Sequence, residues 1–222
     1  MRAGTAAAGP SPLPAGVAGD LGSGLARYRD LGWALDLAAG LAAVLDGLDP
    51  GAAAQEGLAV LPTADVPAGA RVLPNALTAR DSLSVVRLAR PGGTGYGRGL
   101  TGSRAAALAA VRLGVLSRML DMAAGRLAGR HFGGVPLVDQ QLVVGAVADV
   151  VTDLELSAAT FAGDGTAAEV TVAQHERLTE AGWVVARFFG AEGYLADHPV
   201  RTLYVSTLIA DIWVRRPHGP RG

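Results

Sequence analysis

The sequence predicts a mainly α-helical protein whose C-terminal part, residues 97–218, is an antiparallel up-and-down four-helix bundle, preceded by a small helix and β-strand remnant. Three observations predict it. After Ser103 apolar residues recur at helical spacing through four long stretches. Their connections are short, which makes successive helices antiparallel neighbours. Strand-like runs punctuated by Pro and Gly occur only before residue 97. Half of the 222 residues are hydrophobic, enough to bury a sizeable core.

The chain opens with MRAGTAAAGPSPLPAGVAGD, where Gly and Pro interrupt the apolar run that a secretory signal needs; residues 1–20 read as a disordered head. Residues 21–56 form a helical segment. Within it Leu31, Leu35, Leu37, Leu41, Val44, Leu45 and Leu48 give an amphipathic pattern, with a break expected near Gly32 or Gly40 and a linker at DPGAAAQEG. Residues 57–96 read as a short β remnant: LAVLPTADVPAGARVLP, then DSLSVVRLARP, with Leu83, Val85, Val86 and Leu88 the most strand-like run.

The bundle follows. RAAALAAVRLGVLSRMLDMAAGRLAGR predicts a long first helix presenting Leu108, Val111, Val115, Leu116, Met119 and Met122 on one broad face. LVDQQLVVGAVADVVTDLELSAATF predicts the second, with Asp139 near its first turn, where the helix dipole favours an anion. The third spans about Thr166 to Phe189, and the fourth starts near Pro199 and continues through VRTLYVSTLIADIWV.

Composition excludes several functions. Net charge is −1, all nineteen basic residues are arginine, and they are scattered, unlike the basic stripe of a nucleic-acid binder. There is no cysteine, hence no disulfide or thiolate chemistry, and the four histidines lack metal-ligand spacing. No run reaches the ~18 apolar residues that span a bilayer. The expectation is a soluble, cytoplasmic protein without metal, membrane or nucleic-acid partners.

GRGLTG at 97–102 matches the G-x-G-x-x-G fingerprint, but no second strand follows the helix, so it reads as a flexible hinge into the bundle. Asp149, Asp153 and Glu155 read as a solvated face. The stretches GRHFGGVPLVDQQL (129–142) and RFFGAEGYLADHPVR (187–201) both fall at helix junctions. Backbone amides at a helix start and in a glycine loop can approach a planar or phosphorylated ligand closely.

These two stretches resemble the C-terminal α-domain of the acyl-CoA dehydrogenases. Phe132-Gly133, Gln140 and the Ala148-Asp149 pair match one family element. Gly190, Gly193, Tyr194, Asp197, Pro199 and Val200 echo the later glycine loop, and Arg104 matches a recurrent arginine. The resemblance covers about residues 57–216, strongly from 97. It implies an FAD placed between subunits, with Arg130, Phe132, Gln140, Arg187, Gly190, Gly193 and Tyr194 as cofactor-contacting positions.

The departures are as informative. The family arginine falls on Gly129, with Arg130 one residue displaced; the loop glutamine is Arg187 and its second glycine Ala191. The family's glutamate base falls on Val214, and its alternative position is Ser103; neither residue can accept the proton. Asp211, Asp197 and His198 are the remaining acid–base candidates. Only about 96 residues precede the bundle, too few for the family's two N-terminal domains.

The resemblance therefore implies a reduced subunit of an acyl-CoA dehydrogenase-like enzyme acting on an acyl thioester. It would contribute to a FAD site in a homo- or hetero-oligomer without supplying the base. The alternative is a flavin-free, repurposed member that binds a hydrophobic, polyketide-like biosynthetic chain and promotes cyclisation, isomerisation or elimination. A non-enzymatic scaffold is the third reading.

Overall fold

The computed structural model describes residues 23–89, 97–162 and 167–214. The head expected over 1–20 and the end of the expected bundle, 215–218, lie outside them. Among the described residues the protein is mainly helical, with eight α-helices and five short strands.

The N-terminal helical pattern resolves into α1 (Ser23–Trp33) and α2 (Leu37–Leu45). The break falls at Leu35, which takes a left-handed φ of 60°. Asp36 then starts α2 by accepting a hydrogen bond from the Ala39 amide at 2.8 Å, the usual service of an N-cap carboxylate. Gly40 is a contact position and not a break: a Cβ there would lie 2.9 Å from the Val111 side chain.

A single turn of helix, α3 (Pro50–Ala53), leads into a three-stranded antiparallel sheet of β1 (Leu58–Pro62), β2 (Arg71–Leu73) and β3 (Leu83–Arg87), with β3 in the middle. Val85 of β3 stands opposite Val60 of β1 and Leu73 of β2. The short α4 (Ala76–Ala79), capped by the Asn75 side chain, sits between β2 and β3. Leu83, Val85, Val86 and Leu88 are all buried, as their β-branched and leucine run requires.

The central element is α5 (Gly102–Ala128). Every residue from Ala105 to Ser117 is buried, so the expected single apolar face is corrected to burial all round. The reason is that α5 is enclosed by α1, α2, α6 (Gln141–Ala162), α7 (Ala168–Phe188) and α8 (Arg201–Trp213), with α1 and α7 packed most extensively on it. A helix hydrophobic on all sides belongs in such an interior. By contrast α6 buries only one stripe, Val147, Val150, Leu154, Ser157, Ala158 and Phe161.

Glycines allow α1 to lie close on α5. A Cβ on Gly32 would sit 1.9 Å from the Val111 carbonyl oxygen, and one on Gly114 would sit 2.0 Å from that of Arg29. Alanine favours a helix by about 1 kcal/mol over glycine, but here the clash is with backbone that must move. Gly114→Ala is expected to destabilise by about 1–3 kcal/mol net, lowering the thermal midpoint by roughly 3–10 °C in a scanning calorimeter.

The last helix is tied to the sheet at both ends. At its C-terminal end the Trp213 indole N–H donates to the Val60 carbonyl at 2.8 Å, and the Gln55 amide donates to the Ile212 carbonyl at 3.2 Å. Leu100 pairs with Val214 as an isolated parallel bridge, its N–H donating to the Trp213 carbonyl at 2.6 Å. At the N-terminal end Arg201 reaches Asp81 at 3.1 Å, while burial pushes the Asp81 carboxyl above the usual carboxylate range against the pull of that arginine.

GRGLTG is part of this closure. A Cβ on Gly97 would lie 2.3 Å from the Ala54 carbonyl oxygen; Gly99, at φ +66°, would put one 2.5 Å from that of Trp213. These glycines permit close packing against two backbones. The flexible hinge expected here is a fixed, tightly packed crossing.

Candidate functional site

The two motif-bearing segments meet at one end of the helical region. α5 stops at Ala128, and the chain turns through a two-stranded hairpin, β4 (His131–Phe132) and β5 (Val135–Pro136). Gly133 and Gly134 make its turn at φ +60° and +81°, the left-handed pair that a tight hairpin needs. Gln140 immediately precedes α6, and its carbonyl accepts the first helical amides, from Val143 and Val144. Asp139 lies in the 3₁₀ turn before α6 and so falls short of the helix's first turn.

The glycine segment forms a 3₁₀ turn, Gly190–Tyr194, directly after α7. Gly190 is left-handed at φ +60°, and Gly193 is buried against the Ala186 carbonyl and Phe189. An ion pair between Arg126, in the last turn of α5, and Glu192 joins this turn to the α5 end. That hydrogen bond, with the charges of Arg126, Arg130 and His198, holds the Glu192 carboxyl below its usual range.

Arg130 and His198 therefore belong to the same electrostatic neighbourhood. Phe132 of β4 and Tyr194 of the glycine turn are 75% and 73% exposed. Arg130 and Arg187 are exposed, Gln140 is half-buried, and none of their side chains forms a hydrogen bond within the described residues. His198 is engaged locally: its Nδ1 accepts from the Val200 amide at 3.2 Å, and its ring meets Phe189 edge-on at 5.0 Å. Asp197 is exposed, and its carbonyl receives a long 3.5 Å contact from Arg201.

Asp211 lies at the other end of α8, about 15 Å along the helix from Arg201, which His198 precedes by three residues. The three acid–base candidates are thus not brought together. Asp211 instead lines a narrow crevice with Val214, Arg112, His175, Glu176 and Thr179. Its volume of about 10 Å³ admits one water-sized body.

Beneath that crevice is a polar network that the sequence reading missed. Arg112 and His175 are 3% and 4% exposed. Arg112 Nη1 donates to His175 Nδ1 and to the His175 carbonyl, both at 2.9 Å, and Nη2 donates to Thr179 Oγ1 at 2.7 Å and Thr207 Oγ1 at 3.4 Å. Because a guanidinium only donates, His175 Nδ1 accepts, and its Nε2–H donates to the Ala105 carbonyl at 3.0 Å. The imidazole is therefore neutral. Burial, then the Arg112 charge, pull its pKa down to about 3. Burial also lowers Arg112 to about 10, opposed by the Asp211 charge. The signal in the sequence was a lone arginine within an otherwise apolar run, AAALAAVRLGVL.

A larger cleft of about 690 Å³ lies where α1, α2 and the start of α5 meet, lined by Leu25, Tyr28, Val44, Ser103, Arg104 and Ala107 among others. Arg104 does not offer its guanidinium freely there: Nη1 donates to the carbonyls of Val44 and Asp46, both at 2.8 Å, satisfying the C-terminal end of α2. Ser103 is exposed at the cleft.

No family model and no curated protein matches the chain. Among solved structures it is similar to a variant of the Tcur3481-Tcur3483 steroid ACAD. Identity is 23%, the TM-score is 0.47, and the match covers 66% of this chain and 45% of that one. The chain thus matches less than half the length of that structure. Among the described residues no group of three or more His, Asp or Glu side chains is placed to hold a metal ion, and no helix is long and apolar enough to cross a membrane.

Proposed function

We propose that the chain is an acyl-CoA dehydrogenase-like subunit, built on a C-terminal four-helix bundle, that lends one end to an FAD held mainly by a larger partner. The observation that supports this reading is the Arg126–Glu192 ion pair, which ties the 190–194 turn to the end of α5, where the 129–142 corner begins. The Arg130 charge acts on the Glu192 carboxyl, Tyr194 closes the same turn, and Phe132 and Gln140 follow Arg130 along the corner.

The fit to a flavin is one-sided. Side chains as exposed as Phe132 and Tyr194 can cover one face of a ligand but cannot exclude water from it, so a second surface is required. The FAD, when bound, would supply the two-electron acceptor. Arg130 offers a cation for a phosphate, and Gln140 offers amide donors and an acceptor. Val214, 5% exposed and packed on Leu100, cannot accept a proton, and Ser103 is no carboxylate. Acyl oxidation would need the partner's base.

A second reading is favoured by the cleft beside Ser103: a flavin-free protein binding a hydrophobic chain between α1, α2 and α5. Its volume is in the range of ordinary small-molecule sites, and its walls mix apolar and polar groups.

One experiment separates the two. The purified chain is mixed with excess FAD, desalted, and its visible spectrum recorded, alone and after mixing with a full-length dehydrogenase-like chain from the same genome. The subunit reading expects no retained flavin band alone and a band in the complex that weakens when Arg130 is changed to Glu. A yellow chain without a partner would overturn it. A colourless mixture, together with saturable binding of a fluorescent fatty chain that Ser103→Trp abolishes, would replace it with the second reading.

A further inference from the structure

The cleft between α1, α2 and the start of α5 carries a charge pattern of its own. Leu25, Val44 and Ala107 supply apolar wall, and Arg27, Asp46 and Arg104 supply the charge. Two guanidiniums therefore stand against one carboxylate. Neither arginine forms an ion pair with a described residue. Arg104 commits Nη1 to the carbonyls of Val44 and Asp46, which accept its hydrogen bonds without cancelling its charge.

Arg27 and Tyr28 form the recognising pair. The exposed Arg27 lies over the half-buried Tyr28 ring, its guanidinium carbon 4.5 Å from the ring centroid, and its Nη2 donates to the phenol oxygen. That oxygen accepts the bond and so keeps its own proton to donate. Ser103 adds an exposed hydroxyl on the α5 wall. A carboxylate only accepts hydrogen bonds, so guanidinium, phenol and hydroxyl suit it together, and the bond from the cation is of the stronger kind. An ammonium group only donates and would face two cations.

We propose, on the footing of the second reading above, that the cleft binds an amphipathic carboxylic acid in its free, unesterified form. The apolar body lies against Leu25, Val44 and Ala107, and the carboxylate meets Arg27 and Tyr28. Both recognising residues stand well before residue 57, where the resemblance to the acyl-CoA dehydrogenases starts. This selectivity therefore belongs to the chain's own N-terminal helices and not to a thioester site.

Titration calorimetry of the full chain with decanoate, decanol and decylamine, three probes of one chain length, tests this. Decanoate is expected to bind about fivefold or more tightly than decanol, and decylamine more weakly than either. Arg27→Gln, at an exposed position outside the core, should bring decanoate to within about twofold of decanol and leave decanol unchanged. Asp46→Asn, which removes the one opposing charge, should tighten decanoate alone. Acid and alcohol binding equally, the amine binding best, or Arg27→Gln weakening acid and alcohol alike would each overturn the carboxylate and leave the cleft as a site for an uncharged or cationic chain. No binding by any of the three would overturn both the carboxylate and the second reading.

Discussion

Arg112→Ala is expected to be the most damaging single substitution outside the glycine crossings, lowering stability by roughly 3–5 kcal/mol. Two effects add. The substitution opens a cavity in the middle of α5, where every neighbour from Ala105 to Ser117 is buried. It also strips the partner from His175 Nδ1 and removes the donor to Thr179, leaving polar atoms in the interior. Arg112→Met, which fills much of the same volume and has no charge to desolvate, should cost distinctly less. Urea unfolding of the two variants checks this. Equal costs for Ala and Met would mean that packing alone matters there.

Acidification is expected to weaken the fold through His175. Its folded pKa of about 3 lies below the ordinary histidine value, so between about 6.5 and 3 the unfolded chain binds the extra proton. Stability from the neutral imidazole is complete above pH 6.5 and is lost progressively as pH falls towards 3, with an upper bound of about 4–5 kcal/mol over that window. By pH 5 the loss should be roughly 2 kcal/mol. His175→Gln keeps an acceptor for Arg112 and a donor for Ala105, and should flatten the pH dependence of urea unfolding between 6.5 and 5. Asp81 acts in the opposite sense: its raised carboxyl gains a proton more readily in the folded chain, just above the ordinary carboxylate value, so acid slightly favours the fold there. The difference between wild type and His175→Gln isolates the histidine. A slope unchanged by the substitution would show that His175 titrates normally.

The elements most legible in the sequence were those whose pattern is local. The four C-terminal helices and the strand around Val85 announce themselves by spacing and branching, and Leu83 to Leu88 sit where that run predicts. What the sequence hid was set by partners distant in the chain. Gly32 and Gly40 look alike as helix breakers, yet both are contact points against Val111, and the break itself falls at Leu35. GRGLTG looks like a hinge because glycine is permissive; only the carbonyls of Ala54 and Trp213 reveal that the space is already filled. Arg112 was not singled out in the sequence because nothing local says that His175 and Thr179 of α7 and Thr207 of α8 will enclose its side of α5.

The candidate site divided along the same line. Gly190, Gly193 and Phe132-Gly133 were readable as turn chemistry, and Gln140 as the residue before a helix. The ion pair that ties the glycine turn to the end of α5 joins residues 66 positions apart, and Arg126 lies outside both motifs. Asp211, chosen for its distance from Val214, does share a crevice with it, but the structure surrounds that crevice with Arg112 and His175 and leaves little room in it.

The bonds that close β1 against α8 have a consequence for the order of assembly. Gln55 meets Ile212 across 157 residues, and Trp213 meets Val60 across 153, whereas the helices between them fold from local contacts. Long loops are costly to close early, so the outer rim of β1 should be the last part of the core to be covered. On a ribosome, that rim waits unpaired while more than a hundred residues are still being made. Pro62 at the end of β1 is then a safeguard in time as well as in space. It removes one amide from the rim of β1 whose cover, α8, has yet to be synthesised, at the stage when a neighbouring nascent chain could otherwise add on.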